Sequence, residues 1–250
     1  MITPQDWHRR FVQQTRWTEE IRLFIVQQVQ WKTCRRILET GCGTGAVLGS
    51  MQHLLPGTDL FGIDLRPDFL GEARLHAPLS HLAAADAAVL PAADAAFDAV
   101  ICHYLLLWVN DPEVVLKEMK RVTRPGGLVI ALAEPDYGGR IDYPASLVEL
   151  GHLQGEALQS QGADPNMGRK LGALFNQVGL LDVHTGLLGG QWNAAPPYEA
   201  WDSEWAVLQA DLEHILDKES LDTLRNLDAA AWDKGERILF VPTFYAWGTV

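Results

Sequence analysis

The sequence predicts an α/β fold in which a mainly parallel sheet is covered by helices. From residue 36 to residue 134, short apolar runs alternate with segments of helical periodicity, and the connections between them are short. The run LVIALA at residues 128–133 is apolar without interruption, which is typical of a strand buried on both faces. Two strand-like runs near the end of the chain are not joined by a regular crossover helix like those of the first half. Their pattern therefore predicts an antiparallel pair.

The elements of the first half are predicted from capping residues, helical periodicity and apolar runs. The first 33 residues are expected to be helical, and Thr18 can cap the segment that follows it. Asp111 and Pro112 suit the cap and the first position of another helix. The strands are expected at residues 36–38, 59–64, 81–86, 97–103 and 128–133, and the helices at 46–55, from Pro67 onward and at 111–122.

Beyond residue 134 the pattern becomes less regular. Pro242 lies inside the last expected strand and has no N–H to donate, so that strand should start at or after the proline, or bulge there. The expected elements are a loop at 134–144, helices at about 145–161 and at 167–178, a strand at 181–192, a helical stretch, and a last strand at 237–247.

Composition and charge restrict the class of protein. A chain of 250 residues with 48% apolar content can bury a sizeable core, which predicts a single domain over residues 1–250. The net charge of −12 disfavours binding to nucleic acid or to an anionic membrane. The three cysteines lack metal-ligand spacing, so no metal site is expected. No apolar signal core opens the sequence and no run could span a bilayer, so we expect a cytoplasmic protein without membrane attachment.

The segment ETGCGTG, residues 39–45, joins the first strand to a helix. Glycines allow positive φ and keep Cβ atoms away from a ligand that contacts the backbone, while a helix N-terminus offers free N–H groups. Two ligands fit this pattern, a nicotinamide dinucleotide on Gly41-x-Gly43-x-x-Ala46 or S-adenosylmethionine. Asp64 ends the second strand 19 residues after the segment, where a carboxylate can bind ribose hydroxyls. Both cofactors contain a ribose, so these residues favour neither.

Five motifs between residues 36 and 134 separate the two ligands. They are ILETGCGTG, GIDL, AADAAVLP, FDAVICH and RPGGLVIALAEP. In order and spacing they resemble a class I S-adenosylmethionine-dependent methyltransferase of the small-molecule type. The resemblance implies S-adenosylmethionine as cofactor, and a Rossmann-like sheet of seven strands with an antiparallel final pair and helices on both faces. With it we expect a helical lid over residues 1–33, a cofactor core over 36–134 and an acceptor side over 135–250.

The resemblance also implies which residues bind the cofactor. Asp64 would hold the ribose hydroxyls, Leu65 would pack on the adenine, and Asp86 would bind the adenine amino group. His103 would lie near the sulfonium and its methyl group, although a histidine at a sheet end without a chemical role is an equal alternative. The implied cofactor residues lie at the carboxyl ends of the first four strands: Glu39, Gly41, Gly43, Gly45, Asp64, Leu65, Asp86, Ala87 and His103.

The acceptor site is expected in the segments outside the cofactor core. Methyl transfer is a direct displacement, so the protein mainly aligns the acceptor and excludes water, and a base is needed only if the acceptor must lose a proton. We expect His103 and Tyr137 to face the acceptor. Arg140 or Arg169 is expected to bind a carboxylate of the acceptor or of the cofactor, and Arg22 is a further candidate for that role. The arginines could equally form internal ion pairs. The substrate-side candidates are Trp17, Arg22, Tyr137, Arg140, Tyr143 and Arg169.

Tryptophan is concentrated outside the cofactor core, which contains only Trp108 of the nine. This distribution fits an aromatic-walled pocket for a flat, apolar or cationic small molecule, or bulky anchors by which short helices pack on the sheet. The alternatives to a methyltransferase are a nicotinamide-dependent oxidoreductase and a non-catalytic cofactor-binding domain. The first is disfavoured by the antiparallel tail, by the position of Asp86 and by the lack of a Tyr-x-x-x-Lys pair.

Overall fold

A seven-stranded sheet forms the centre of the molecule, which the computed structural model describes at residues 3–29, 31, 34–189 and 195–250. Its strand order is β3-β2-β1-β4-β5-β9-β7, and only β9 runs antiparallel to its two neighbours. The predicted fold class, including the antiparallel final pair, is therefore confirmed. The strands are β1 (Arg36–Thr40), β2 (Asp59–Asp64), β3 (His81–Ala84), β4 (Phe97–His103), β5 (Thr123–Pro135), β7 (Leu181–Leu187) and β9 (Thr243–Thr249).

Nine α-helices within the described residues surround the sheet, and none of them is long and apolar enough to cross a bilayer. Parts of the predicted first helix and of the predicted strand at 181–192, including Trp192, lie outside the described residues. The residues concerned are 1, 2, 30, 32, 33 and 190–194. The helices are α1 (Pro4–Trp17), α2 (Glu19–Gln28), α3 (Ala46–Leu54), α4 (Pro67–His76), α5 (Pro112–Val122), α6 (Val148–Ser160), α7 (Leu171–Gln177), α8 (Tyr198–Leu212) and α9 (Lys218–Asp233).

The central strand β4 shows how the two faces of the sheet are covered. Val100 and Cys102 point into a hydrophobic cluster shared with α5 and α7. Ala99 and Ile101 point into a second cluster shared with α2, α3 and α4. Successive side chains of a strand face opposite sides, so an uninterrupted apolar run is required where both sides are buried. Helices cover both faces, as predicted.

Two of the predicted helix starts are confirmed. The third helix starts where predicted but lacks the expected capping hydrogen bond. The Asp111 carboxylate accepts the Val114 N–H at 3.1 Å, and Pro112 opens α5. Pro67 opens α4 in the same way. Thr18 does precede α2, but its side chain makes no capping hydrogen bond. The hydroxyl is used elsewhere, as described below.

The segments around Pro242 differ most from the prediction. The single strand expected at residues 237–247 is two strands, because β8 (Ile238–Phe240) ends before the proline and β9 begins directly after it. The start of β9 confirms the effect expected of a proline. β8 pairs with β6 (Ile141–Tyr143) in a separate two-stranded sheet, so the loop predicted at residues 134–144 also contains a short strand.

The accessory helices α6, α8 and α9 build a third, smaller hydrophobic cluster around Trp205. A buried polar network, here called the Asp228 network, joins them to β6 and β8. Asp228 accepts the indole N–H of Trp201 at 2.6 Å and of Trp205 at 2.9 Å, and it pairs with Arg237 at 2.6 Å. Arg237 also donates to Asp142 at 2.7 Å. Two of the accessory tryptophans therefore serve packing inside this network.

Candidate functional site

The glycine loop after β1 adopts the backbone that its sequence predicts. Gly41 has φ +70° and Gly43 has φ +52°, values that a residue with a side chain rarely adopts. A Cβ at Gly41 would lie 2.7 Å from Leu105, and one at Gly43 would lie 3.1 Å from Phe11 of α1. Gly45, with φ +78°, directly precedes α3. The loop therefore presents bare backbone between two packed neighbours and the N-terminus of a helix.

Asp64 at the end of β2 is tied to this loop. One carboxylate oxygen accepts the Gly43 N–H at 2.8 Å and the other accepts the Arg66 N–H at 2.9 Å. Each carboxylate oxygen can accept a second hydrogen bond. The two oxygens are fixed side by side on a half-buried side chain, which suits a vicinal diol such as that of a ribose.

The neighbouring end of β3 provides a surface for a flat ring. Leu65 leaves 71% of its side-chain area exposed next to Asp64, although it is strongly apolar. Asp86 follows β3, where its carboxylate accepts the Ala88 N–H at 2.8 Å, and the intervening Ala87 is buried. The structure thus brings together an apolar face, a carboxylate and a backbone segment beyond adjacent parallel strands.

A buried arginine and a buried glutamic acid lie next to the glycine loop. Arg22 of α2 and Glu39 of β1 are each only 2% exposed. The Nε of Arg22 and the Oε2 of Glu39 have no hydrogen-bond partner among the described residues. Burial raises the pKa of Glu39 to about 8, although Arg22 opposes the shift, and burial lowers the pKa of Arg22. Buried polar atoms are normally paired, so two orphaned atoms of opposite polarity fit an amino acid carrying both charges.

Three comparisons with known proteins agree with this geometry. Residues 38–131 match the family model described as a methyltransferase domain. Over this segment the chain is similar to the class I S-adenosylmethionine-dependent methyltransferases. The match agrees with the S-adenosylmethionine motifs of the sequence and disfavours the alternative of a nicotinamide-dependent oxidoreductase.

The relatives match the chain to different extents, and it spans about half the length of the first one. Demethylmenaquinone methyltransferase of Renibacterium salmoninarum is 36% identical over 123 residues, 48% of this chain and 51% of that protein. The ubiquinone/menaquinone biosynthesis C-methyltransferase of Desulfotalea psychrophila is 28% identical over 205 residues, 72% of this chain and 80% of that protein. Phosphoethanolamine N-methyltransferase 2 of Haemonchus contortus, solved with S-adenosyl-L-methionine, superposes with a TM-score of 0.60 at 14% identity over 92% of this chain and 52% of that chain.

His103 ends β4 and is connected to the pair of Arg22 and Glu39. Its Nε2 lies 2.8 Å from the hydroxyl of Thr18, and the same hydroxyl accepts a hydrogen bond from Arg22 at 2.8 Å. Burial, aided by the Arg22 charge, lowers the pKa of His103 to about 3. The imidazole is therefore neutral at physiological pH, and Thr18 links it to α2.

Tyr137 follows β5 and lies near a buried ion pair that no local sequence pattern indicated. Arg10 of α1, only 6% exposed, pairs with Glu204 of α8. Burial raises the pKa of the Tyr137 hydroxyl, and Glu204 and Arg10 are the strongest charges acting on it. The Arg10 guanidinium also lies 4.8 Å from the ring centre of Trp17, which is half-exposed. Two predicted residues, Trp17 and Tyr137, are thus brought to the same ion pair.

The other predicted substrate residues are engaged within the chain or lie open to solvent. Arg140 pairs with Asp142 at 2.6 Å and donates to Gln154. Arg169 binds Asp136 through two hydrogen bonds of 2.5 and 2.6 Å. Tyr143 is 55% exposed. A carboxylate ligand of either arginine would have to displace the acidic partner that is already in place.

Proposed function

We propose that this chain transfers the methyl group of S-adenosylmethionine to a small-molecule acceptor. The observation that supports it most is the pair of orphaned buried atoms, Arg22 Nε and Glu39 Oε2, beside a glycine loop and a diol-binding Asp64. These groups are suited to the carboxylate, the ammonium and the ribose of one ligand. A dinucleotide would bring a pyrophosphate instead, for which the buried carboxyl of Glu39 is a poor partner.

Each part of the cofactor then has a proposed partner in the chain. Arg22 would hold the carboxylate and Glu39 the ammonium, while the loop glycines leave room for the backbone contact. Asp64 would bind the ribose hydroxyls, and the surface beyond β3 would take the adenine. The residues of that adenine surface are Leu65, Asp86 and Ala87.

When bound, the cofactor supplies an electrophilic methyl group on a sulfonium, so the protein needs little chemistry of its own. The neutral His103, with its pKa near 3, is a weak base and suits a hydrogen bond that orients the acceptor. The raised pKa of Tyr137 keeps its hydroxyl protonated, and it can donate a hydrogen bond to an acceptor oxygen. The two side chains therefore orient the acceptor in this proposal.

The position of α1 supports a small acceptor. Phe11 packs over Gly43, and His8 of the same helix lies 2.8 Å from the Thr44 hydroxyl. The far side of α1 is fastened to α8, because Gln13 donates to the Ala200 carbonyl at 2.8 Å. A helix held at both sides encloses the site more tightly than a polymer substrate would allow. Two of the proteins named above are a demethylmenaquinone methyltransferase and a ubiquinone/menaquinone biosynthesis C-methyltransferase, so ring compounds of that class are the first acceptors to test.

The test is an assay of S-adenosylhomocysteine formation with a panel of demethylated quinones, phenols and small amines. With the best acceptor, Tyr137→Phe and His103→Ala should each lower turnover about 10- to 100-fold, because acceptor alignment is lost. Tyr198→Phe is the matched control, since Tyr198 is 71% exposed. Unchanged turnover in both site variants would refute their role, and no turnover with any acceptor would favour the non-catalytic alternative.

A further inference from the structure

The residue after β4, Tyr104, has a backbone conformation that is rare for a bulky side chain. Its φ is +50°, in the left-handed region. The Tyr104 N–H donates to the Ala133 carbonyl at 2.9 Å, so the unusual conformation is fixed against β5. Such strain is kept only where the surrounding structure enforces it, and it is concentrated at functional sites.

Hydrogen bonds to the Glu134 side chain hold the turn that follows Tyr104. The side chain is completely buried at the end of β5. One carboxylate oxygen accepts the N–H groups of Leu105 at 2.9 Å and Leu106 at 2.8 Å, and the other accepts that of Leu107 at 3.2 Å. Three consecutive amides on one carboxyl group form a directional anchor, and they oppose the burial that raises the pKa of Glu134 to about 7.

The sheet is distorted at the place where this carboxylate emerges. The register between β4 and β5 shifts between Cys102 and His103. The register between β5 and β9 shifts between Ala131 and Glu134. Irregularities of this kind re-aim side chains next to active sites. Both ladders of β5 are thus displaced just where Glu134 reaches the loop after β4.

The anchored loop contacts both parts of the proposed methyl-transfer site. The Leu105 side chain fills the space beside Gly41, so that a Cβ there would lie 2.7 Å away. The Tyr104 ring packs edge-on against His103 with ring centres 4.6 Å apart. Tyr137 and Arg10 are among the charged or polar groups acting on the Tyr104 hydroxyl. Tyr104 therefore lies between the glycine loop and the acceptor-side residues.

We propose that Glu134 is a positioning residue for methyl transfer: by binding three consecutive amides it holds Tyr104 in the left-handed conformation, and the Tyr104 ring forms the wall that aligns acceptor and cofactor. The inference rests on the proposed function. It assigns to the buried carboxyl group a role beyond pairing the three amides, because the same hydrogen bonds fix the residues that directly follow Tyr104.

The test compares three variants of the full chain by turnover, KM and S-adenosylhomocysteine affinity, together with the melting temperature. Glu134→Gln keeps the shape but replaces one acceptor oxygen by a donor, and we expect kcat to fall about 10- to 100-fold while cofactor affinity changes much less. Tyr104→Gly allows the positive φ but deletes a ring that packs on the core, so the melting temperature should fall while kcat of the folded protein falls by a similar factor. A merely structural role would lower the melting temperature and leave kcat of the folded variants unchanged.

Glu118→Gln is the matched control, because Glu118 also accepts a backbone N–H, that of Leu90 at 2.8 Å, but on the solvent side of α5. Its turnover should equal that of the wild type. Wild-type kcat and KM in folded Glu134→Gln and Tyr104→Gly would overturn the inference alone. Absence of methyl transfer in the wild-type chain would overturn the proposed function and this inference with it. If Glu134→Gln does not fold, Tyr104→Gly decides the result.

Discussion

The proposed cofactor side and the proposed acceptor side of this chain are built by different means. On the cofactor side, ligand groups come from backbone geometry and strand ends, as in the hydrogen bond from Gly43 to Asp64, 21 residues apart. On the acceptor side, ion pairs join distant elements, as between Arg10 and Glu204, which are 194 residues apart. Backbone geometry requires particular residues at particular spacings, whereas a distant ion pair leaves no local pattern. This difference decides which half of the site a sequence reveals.

The largest expected effect is a loss of stability in the Asp228 network that leaves cofactor binding unchanged. Asp228→Ala would leave the buried charge of Arg237 and the indole N–H groups of Trp201 and Trp205 without their acceptor. We expect the free energy of unfolding to fall by about 3–5 kcal/mol, as when one partner of a buried pair is removed. Denaturant titration measures the loss, and the affinity of the folded protein for S-adenosylhomocysteine should remain within about twofold.

Asp222→Ala, on the exposed face of the same helix, is the control for this prediction and should leave the unfolding free energy nearly unchanged. A parallel loss of cofactor affinity in Asp228→Ala would show that the two sides are not independent. Full stability of that variant would contradict the importance of the network.

A smaller effect is expected on the cofactor side. Asp64→Ala removes the two proposed ribose hydrogen bonds, and we expect the affinity for S-adenosylhomocysteine to fall about 30- to 100-fold, equivalent to about 2–3 kcal/mol. Calorimetric titration measures the change. Asp68→Ala is the matched control, because that carboxylate is exposed and pairs only with Arg66 at 2.5 Å. Equal affinities of the two variants would contradict the assignment of Asp64.

How much of the molecule could be predicted follows the same division. The strand ends, the glycine loop and the break at Pro242 were predictable because each depends on a local constraint on the backbone. The orphaned atom of Glu39 and the anchor at Glu134 depend on burial, which a single residue in an apolar run does not reveal. The partners of Arg140 and Arg169 could not be chosen either, because an arginine that binds a ligand and one that pairs internally look alike in sequence.

The smallest expected effect is the release of protons when the ligand binds. With a pKa of about 8, the Glu39 carboxyl carries its proton at pH 7. A ligand ammonium beside it would lower that pKa well below 7, so binding should release up to about 0.9 proton. Titrations with S-adenosylhomocysteine in buffers of different ionisation enthalpy measure this number. Glu39→Gln should abolish the release, and proton uptake or no exchange in the wild type would contradict a Glu39–ammonium contact.

The central claim, that Arg22 and Glu39 hold the amino-acid part of S-adenosylmethionine, is tested most directly by comparing two ligands. S-adenosylhomocysteine carries the amino acid, and 5′-methylthioadenosine lacks it. In calorimetric titrations of the wild-type chain, we expect S-adenosylhomocysteine to bind at least about 100-fold more tightly, since two charged contacts are lost with the smaller ligand. Equal affinity for the two ligands, or binding of a nicotinamide dinucleotide in place of both, would contradict the claim.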